Sequence, residues 1–193
     1  MSTARCDTTR ARKVRSGRVV RVVLAAGVVQ CYEGEQGAER LVREELASGE
    51  VQHYEGGRGA ERFVRREFAD GEVQHYEGER GVERKVRSVR ASGSVKYYEG
   101  DKGAERRVRA VLANGNVQYY EGDKGAERMV RAVFSDGRVH HFEGAKFSQR
   151  KVRTELANGG VLHYEGERGA ERLVRTRRCA CRSGGTGGRS VLS

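Results

Sequence analysis

A skeleton of Tyr-Glu-Gly followed by Glu-Arg-x-Val-Arg returns every 22 residues along this chain without an insertion or a deletion. The aromatic position falls at Tyr32, Tyr54, Tyr76, Tyr98, Tyr120, Phe142 and Tyr164, with a glycine two residues after each. The second signature runs from Arg40-x-Val42-Arg43 to Arg172-x-Val174-Arg175, and Arg18-Val19-Val20-Arg21 is a leading half unit in the same phase. A fixed period of this length means stacked units, each burying its apolar side against its neighbours. The repeat domain is assigned to 18-176, the leading half unit plus seven units. Residues 1-17 are expected to form a disordered basic arm, and 177-193 a flexible basic Gly/Ser-rich tail.

Composition supports a thin structure rather than a thick core. Apolar residues are 36% of the chain and charged residues 34%, with no Trp and no Pro. The formal net charge of +11 belongs to the ends. Residues 1-28 carry 7 basic and 1 acidic side chain, 176-193 carry 4 basic and none acidic, and the 147 residues between carry 27 and 26. No run approaches the roughly 18 apolar residues that a membrane span requires. The first 17 residues lack a secretory apolar core, but their Arg/Ser/Thr-rich, acid-poor character leaves organelle targeting open. Cys6, Cys31, Cys179 and Cys181 show no pairing pattern, so a reducing compartment, cytoplasmic or otherwise intracellular, is expected.

The units read in two ways. "GAERLVREELASG" has the spacing of an amphipathic helix, whereas "RAVLANGNVQYY" and "RAVFSDGRVHHF" set Asn-Gly or Asp-Gly between Val-rich runs, a strong hairpin signal. A two-residue turn at Asp70-Gly71 would put Phe68 opposite Val73 on one face, and Arg65 opposite Tyr76 on the other. Charge decides between the architectures. In a solenoid, equivalent residues stack about 4.8 Å apart, Glu on Glu and Arg on Arg; a hairpin meander doubles that spacing and interleaves different strands. The fold class expected is therefore all-β, an elongated open antiparallel meander of β-hairpins, with a strand-plus-helix solenoid as the alternative. One leading strand and seven hairpins make 15 strands.

The residues "YEGERG…FADG" resemble the MORN (membrane occupation and recognition nexus) repeat, in divergent form, since Glu-Arg-x-Val-Arg stands where that family usually has a Gly-x-Gly strand. The resemblance spans the repeat body. It implies a long sheet of hairpins that scaffolds other proteins, often self-associates and sometimes lies near membranes.

Catalysis needs a singular constellation, and a repeat supplies the same groups many times along a rod. His53, His75, His141 and His163 share one phase, with equivalent positions roughly 10 Å apart in a hairpin meander. Such spacing is too wide to share a metal with bonds near 2 Å. No catalytic or metal site and no cofactor is expected, and the chain is read as a non-enzyme. "GAKFSQRKVR" at 144-153 is the one unit that departs from the pattern. The expected function is a scaffold for protein-protein interaction, bound to another protein or to itself as a homodimer. Its candidate surface is the Arg/Tyr ladder of Tyr54, Arg65, Tyr76, Arg87, Tyr98, Arg109, Tyr120 and Arg131. The alternative is contact with an anionic lipid surface, or less favourably nucleic acid, through Arg10, Arg12, Lys13, Arg15 and Arg18 at one end and Arg177, Arg178 and Arg182 at the other.

Overall fold

The computed structural model describes residues 12–16 and 19–177. Within them the chain forms one antiparallel sheet of 16 strands in sequence order. These are β1 (Arg12–Ser16), β2 (Val19–Val23), β3 (Val29–Glu33), β4 (Arg40–Glu45), β5 (Val51–Glu55), β6 (Arg62–Glu67), β7 (Val73–Glu77) and β8 (Arg84–Val89). There follow β9 (Val95–Glu99), β10 (Arg106–Val111), β11 (Val117–Glu121), β12 (Arg128–Val133), β13 (Val139–Glu143), β14 (Arg150–Glu155), β15 (Val161–Glu165) and β16 (Arg172–Arg177). The hairpin reading holds, and the strand-plus-helix alternative fails: the only described helix is a single 3-10 turn at Ala25–Gly27. Residues 12–16, expected within a disordered arm, instead form β1 paired to β2, which makes the strand count 16 rather than 15.

Each unit is two strands and two different turns. The short turn differs from the one expected. Gly71 N donates to Phe68 O at 3.0 Å, and Phe68 N donates to Glu72 O at 2.8 Å, so Ala69, Asp70 and Gly71 form a three-residue loop. Gly71, at φ 83°, supplies the left-handed residue that closes such a loop after its first turn. The extra loop residue shifts the register by one. Arg65 lies opposite His75 and Glu67 opposite Val73, where the two-residue turn would have set Arg65 against Tyr76 and Phe68 against Val73. Because side chains alternate between faces, a shift of one exchanges partners across the whole hairpin.

The longer turn carries a second irregularity. Between β5 and β6, Tyr54 pairs with Phe63 but His53 pairs with Arg65, so Val64 is an extra residue in its strand. The same shift recurs between β3 and β4, and between β13 and β14. It sorts each unit onto two faces. One face carries Gln52, Tyr54, Phe63 and Arg66, and is called here the tyrosine face; the other carries Val51, His53, Glu55, Arg62 and Arg65, and is called the arginine face. The expectation that Phe68 and Val73 share one face is therefore corrected, because Phe68 extends the row of Arg66 on the tyrosine face while Val73 pairs with Glu67 on the arginine face.

The sheet is a single layer. Among the described residues the buried side chains are small, namely Val20, Val29, Ala110, Ala132, Val139, Ser88 and Thr154, and no large side chain is fully buried. Stability comes from pairing and from contacts between adjacent units, as in other repeat proteins.

Candidate functional site

The recurring residues are occupied in holding one unit to the next. Glu83, the first residue of one Glu-Arg-x-Val-Arg signature, accepts from Gly81 N at 2.9 Å in its own turn and from Phe63 N at 3.3 Å in the preceding unit. Glu105, Glu127 and Glu171 repeat that reach to Lys85, Arg107 and Lys151. Burial works against the charge on Glu83, but the N–H groups of Glu83 itself, Gly81 and Phe63 outweigh it and hold the carboxyl below its ordinary range. Lys102 donates to Gly81 O at 2.8 Å, and Lys124 to Gly103 O at 2.6 Å, tying each turn to the one before. Arg62 bonds forward to Gly78 O at 3.2 Å and meets Glu55 at 3.3 Å. The 20-residue reach from Phe63 to Glu83 crosses a unit boundary and has no local signal in the sequence.

The candidate Arg/Tyr ladder is divided between the faces. Tyr54, Tyr76, Tyr98 and Tyr120 lie on the tyrosine face, paired with Phe63, Lys85, Arg107 and Met129. Phe63 packs on Tyr76 with ring centroids 4.5 Å apart; Lys85 Nζ sits 4.2 Å from the Tyr98 ring centre, and the Arg107 guanidinium 3.8 Å from that of Tyr120. Burial raises the phenol pKa of all four above the ordinary value. Arg65, Arg87, Arg109 and Arg131 lie on the opposite face, in a row that alternates with His53, His75, Tyr97, Tyr119 and His141. The cation-π partners there are Tyr97 and Tyr119, one residue before the expected tyrosines: Arg109 lies 5.2 and 6.0 Å from their centres, and Arg131 lies 5.2 Å from Tyr119. Both tyrosines could have been found from sequence, since they share the phase of the four histidines.

The histidines stand in this row between arginines. His53 meets Glu67 at 2.8 Å and His141 meets Glu155 at 3.0 Å. Burial lowers the pKa of His75, and Arg87 and Arg65 lower it further, which keeps that ring neutral near pH 7. Among the described residues, no three His, Cys, Asp or Glu side chains are grouped to hold a metal ion. Two shallow hollows lie among the described residues, one at the turn ends beside Asp70, Glu72 and Arg90, and another beside Val20, Tyr32 and Arg58.

Of the basic end residues, Arg12, Lys13 and Arg15 lie on edge strand β1, and Arg177 closes edge strand β16. Arg10, Arg18, Arg178 and Arg182 lie outside the described residues. With 16 strands at about 4.8 Å, the two edges are roughly 70 Å apart along the sheet. The irregular unit has a local peculiarity. Phe147 takes the left-handed position, φ 68°, that glycine holds in the other units, and its side chain is 75% exposed.

No protein-family model matches the chain, and no curated protein matches it in sequence. Among solved structures, the chain is similar to the TCP domain of SAS-4 (dCPAP) of Drosophila melanogaster, solved in complex with a proline-rich motif of Ana2 (dSTIL). The identity is 8% and the TM-score 0.44, over 83% of this chain and 94% of that one. It is also similar to the TCP10 domain of Danio rerio CPAP, solved in complex with a STIL peptide, at 11% identity and TM-score 0.35, over 88% of this chain and 99% of that one. A third similar structure is the G-box domain of the microcephaly protein CPAP, at 14% identity and TM-score 0.30, over 87% of this chain and 98% of that one. These neighbours are CPAP domains rather than MORN repeats. Likenesses this distant say nothing of what this chain binds. Among the described residues no helix is long and apolar enough to cross a membrane.

Proposed function

We propose that the chain is a non-enzymatic, MORN-like repeat scaffold that binds another protein, or a second copy of itself, along a face of its open sheet. The observation that carries this reading is the single layer. Two rows of arginine and aromatic side chains run along the sheet on opposite faces, and among the described residues no large side chain is fully buried beneath them. A contiguous surface of this kind invites a partner. An intracellular setting belongs to the same reading, on the grounds of cysteine usage.

Capture from a native cell extract, followed by rebinding of the purified captured protein, tests it. Saturable rebinding that is weakened by changes on one face supports the scaffold; a folded chain that rebinds no protein and stays monomeric by light scattering contradicts it. The second reading, contact with anionic lipid or nucleic acid through the basic ends, faces one specific observation. Arg12, Lys13, Arg15 and Arg177 sit on the two open edges of the sheet, where basic residues also discourage edge-to-edge aggregation.

A further inference from the structure

The arginine row is not uniform, and the difference lies in the third residue of the strand beyond Val in each unit. Glu45, Glu67 and Glu155 occupy that position in three units, and each binds the arginine two residues before it: Arg43 with Glu45, Arg65 with Glu67 at 3.1 Å, and Arg153 with Glu155 at 2.9 Å. In the three central units the same position is Val89, Val111 and Val133. Among the described residues no carboxylate comes within ion-pair distance of Arg87, Arg109 or Arg131. Arg87 and Arg131 are exposed, and Arg109, set between Tyr97 and Tyr119, is half-buried, as Arg43, Arg65 and Arg153 are. The next row along the strands is neutral, since Arg84, Arg106 and Arg128 each meet a glutamate, at 3.8, 3.5 and 3.3 Å.

We propose that Arg87, Arg109 and Arg131, alternating with Tyr97 and Tyr119, form a binding site for an extended acidic peptide that runs across the strands. This deepens the scaffold reading and rests on it. Charge complementarity names the occupant: three guanidinium groups without a carboxylate partner stand on one line, two strand spacings or roughly 10 Å apart. In the extended threefold conformation common in unfolded chains, every third side chain points the same way after about 9 Å. Acidic residues at i, i+3 and i+6 therefore match the three arginines in sequence, and the segment between them lies over the two tyrosine rings. A guanidinium held against an aromatic ring keeps its N–H fork free for a carboxylate.

The test uses the full chain at physiological salt, with fluorescence anisotropy of two labelled peptides of one composition. One peptide carries Glu at every third position over seven residues; the other carries the same glutamates side by side. The spaced peptide is expected to bind more tightly. The triple variant Val89→Glu/Val111→Glu/Val133→Glu copies the residues of the outer units, and should weaken that binding at least about tenfold by giving each arginine an internal partner. Val89→Gln/Val111→Gln/Val133→Gln, which has the same shape without charge, should bind as the wild type does, and Glu67→Val should extend the free row to Arg65 and tighten a peptide with a fourth glutamate. Equal binding of the two peptides, or an unchanged affinity in the Glu variant, overturns the site. So does preferential binding of a single-stranded oligonucleotide that the Glu variant abolishes, because the ligand class is then nucleic acid. Failure of the scaffold reading is distinct, since then no captured protein rebinds to the wild type or to either variant.

Discussion

Gly56 and Gly57 are neighbours in the sequence with opposite obligations. Gly56 has φ 114°, and a Cβ placed on it would lie 2.4 Å from Ala60 O; a Cβ on Gly57 meets nothing within 4 Å. Gly56→Ala should therefore destabilise the chain by roughly 1–3 kcal/mol, while Gly57→Ala should be neutral or stabilising by less than about 1 kcal/mol. Urea unfolding of the two variants measures the contrast. Equal midpoints would mean that the turn after Tyr-Glu is not built as described. The glycine of this motif recurs because the chain must leave each strand through a conformation that side chains resist.

At the scale of the element, the glutamate that bridges units links stability to pH. Glu61, Glu83, Glu105, Glu127 and Glu171 all have carboxyl pKa values held below the ordinary range, by backbone N–H groups against whatever burial opposes them. A carboxyl with a depressed folded pKa contributes stability that is complete above its unfolded value of about 4.3 and is lost as pH falls through the folded value. Urea midpoints should slip a little below about pH 6.5, where the unfolded chain protonates His75 and His140 more readily than the folded one, and then drop steeply below about 4.3. Glu83→Gln/Glu105→Gln/Glu127→Gln should lower the midpoint at pH 7 and flatten the acid limb; parallel acid limbs in variant and wild type would contradict the assignment.

The same element shows where sequence reasoning reached and where it stopped. Val-rich runs separated by Asn-Gly and Asp-Gly disclosed the strands, the hairpins and the meander. They did not disclose the register. A glycine in the left-handed region serves a two-residue turn and a three-residue loop alike, so Asp70-Gly71 is compatible with both, and the bonds from Phe68 to Gly71 and Glu72 decide it. The bulge at Val64 has no residue-type signal either, because a valine is as ordinary there as in any strand. The candidate ladder joined its arginines to tyrosines one residue out of phase, which the structure places on the opposite face. The irregular unit was visible as a break in the pattern, and Phe147 proves to be its exposed, left-handed residue.

On the scale of the whole molecule, nearest-neighbour stacking makes the unit the natural quantum of change. Deleting residues 95-116, one whole unit, joins Ser94 to Val117 with both faces still in phase. That variant should fold with an unchanged far-ultraviolet spectrum per residue, because each unit contacts only its neighbours. Loss of the β-sheet signal on this deletion would show that the sheet is held by something other than repetition. Trimming the chain to 12-177 addresses the basic ends, and it keeps β1, which a cut at residue 17 would remove. With Arg12, Lys13, Arg15, Arg18 and Arg177 also changed to Gln, the trimmed sheet should lose any salt-sensitive binding of acidic vesicles while staying folded. Retention of a steep salt dependence would move that affinity to the arginine face.

The separation of the two faces depends on one register, and a pair of disulfide tests reads it directly. Arg87 lies opposite Tyr97 in the structure, and Tyr98 belongs to the other face. Directly opposed residues in an antiparallel sheet have Cα atoms about 4.5–5.5 Å apart, within the span of a disulfide. With the native cysteines changed to serine, Arg87→Cys/Tyr97→Cys should oxidise to an internal disulfide, seen as a loss of two free thiols in a monomeric band, and Arg87→Cys/Tyr98→Cys should keep both thiols free. Oxidation of the second pair and not the first would restore the two-residue turn, place Tyr98 beside Arg87 and contradict the separation of the arginine and tyrosine faces.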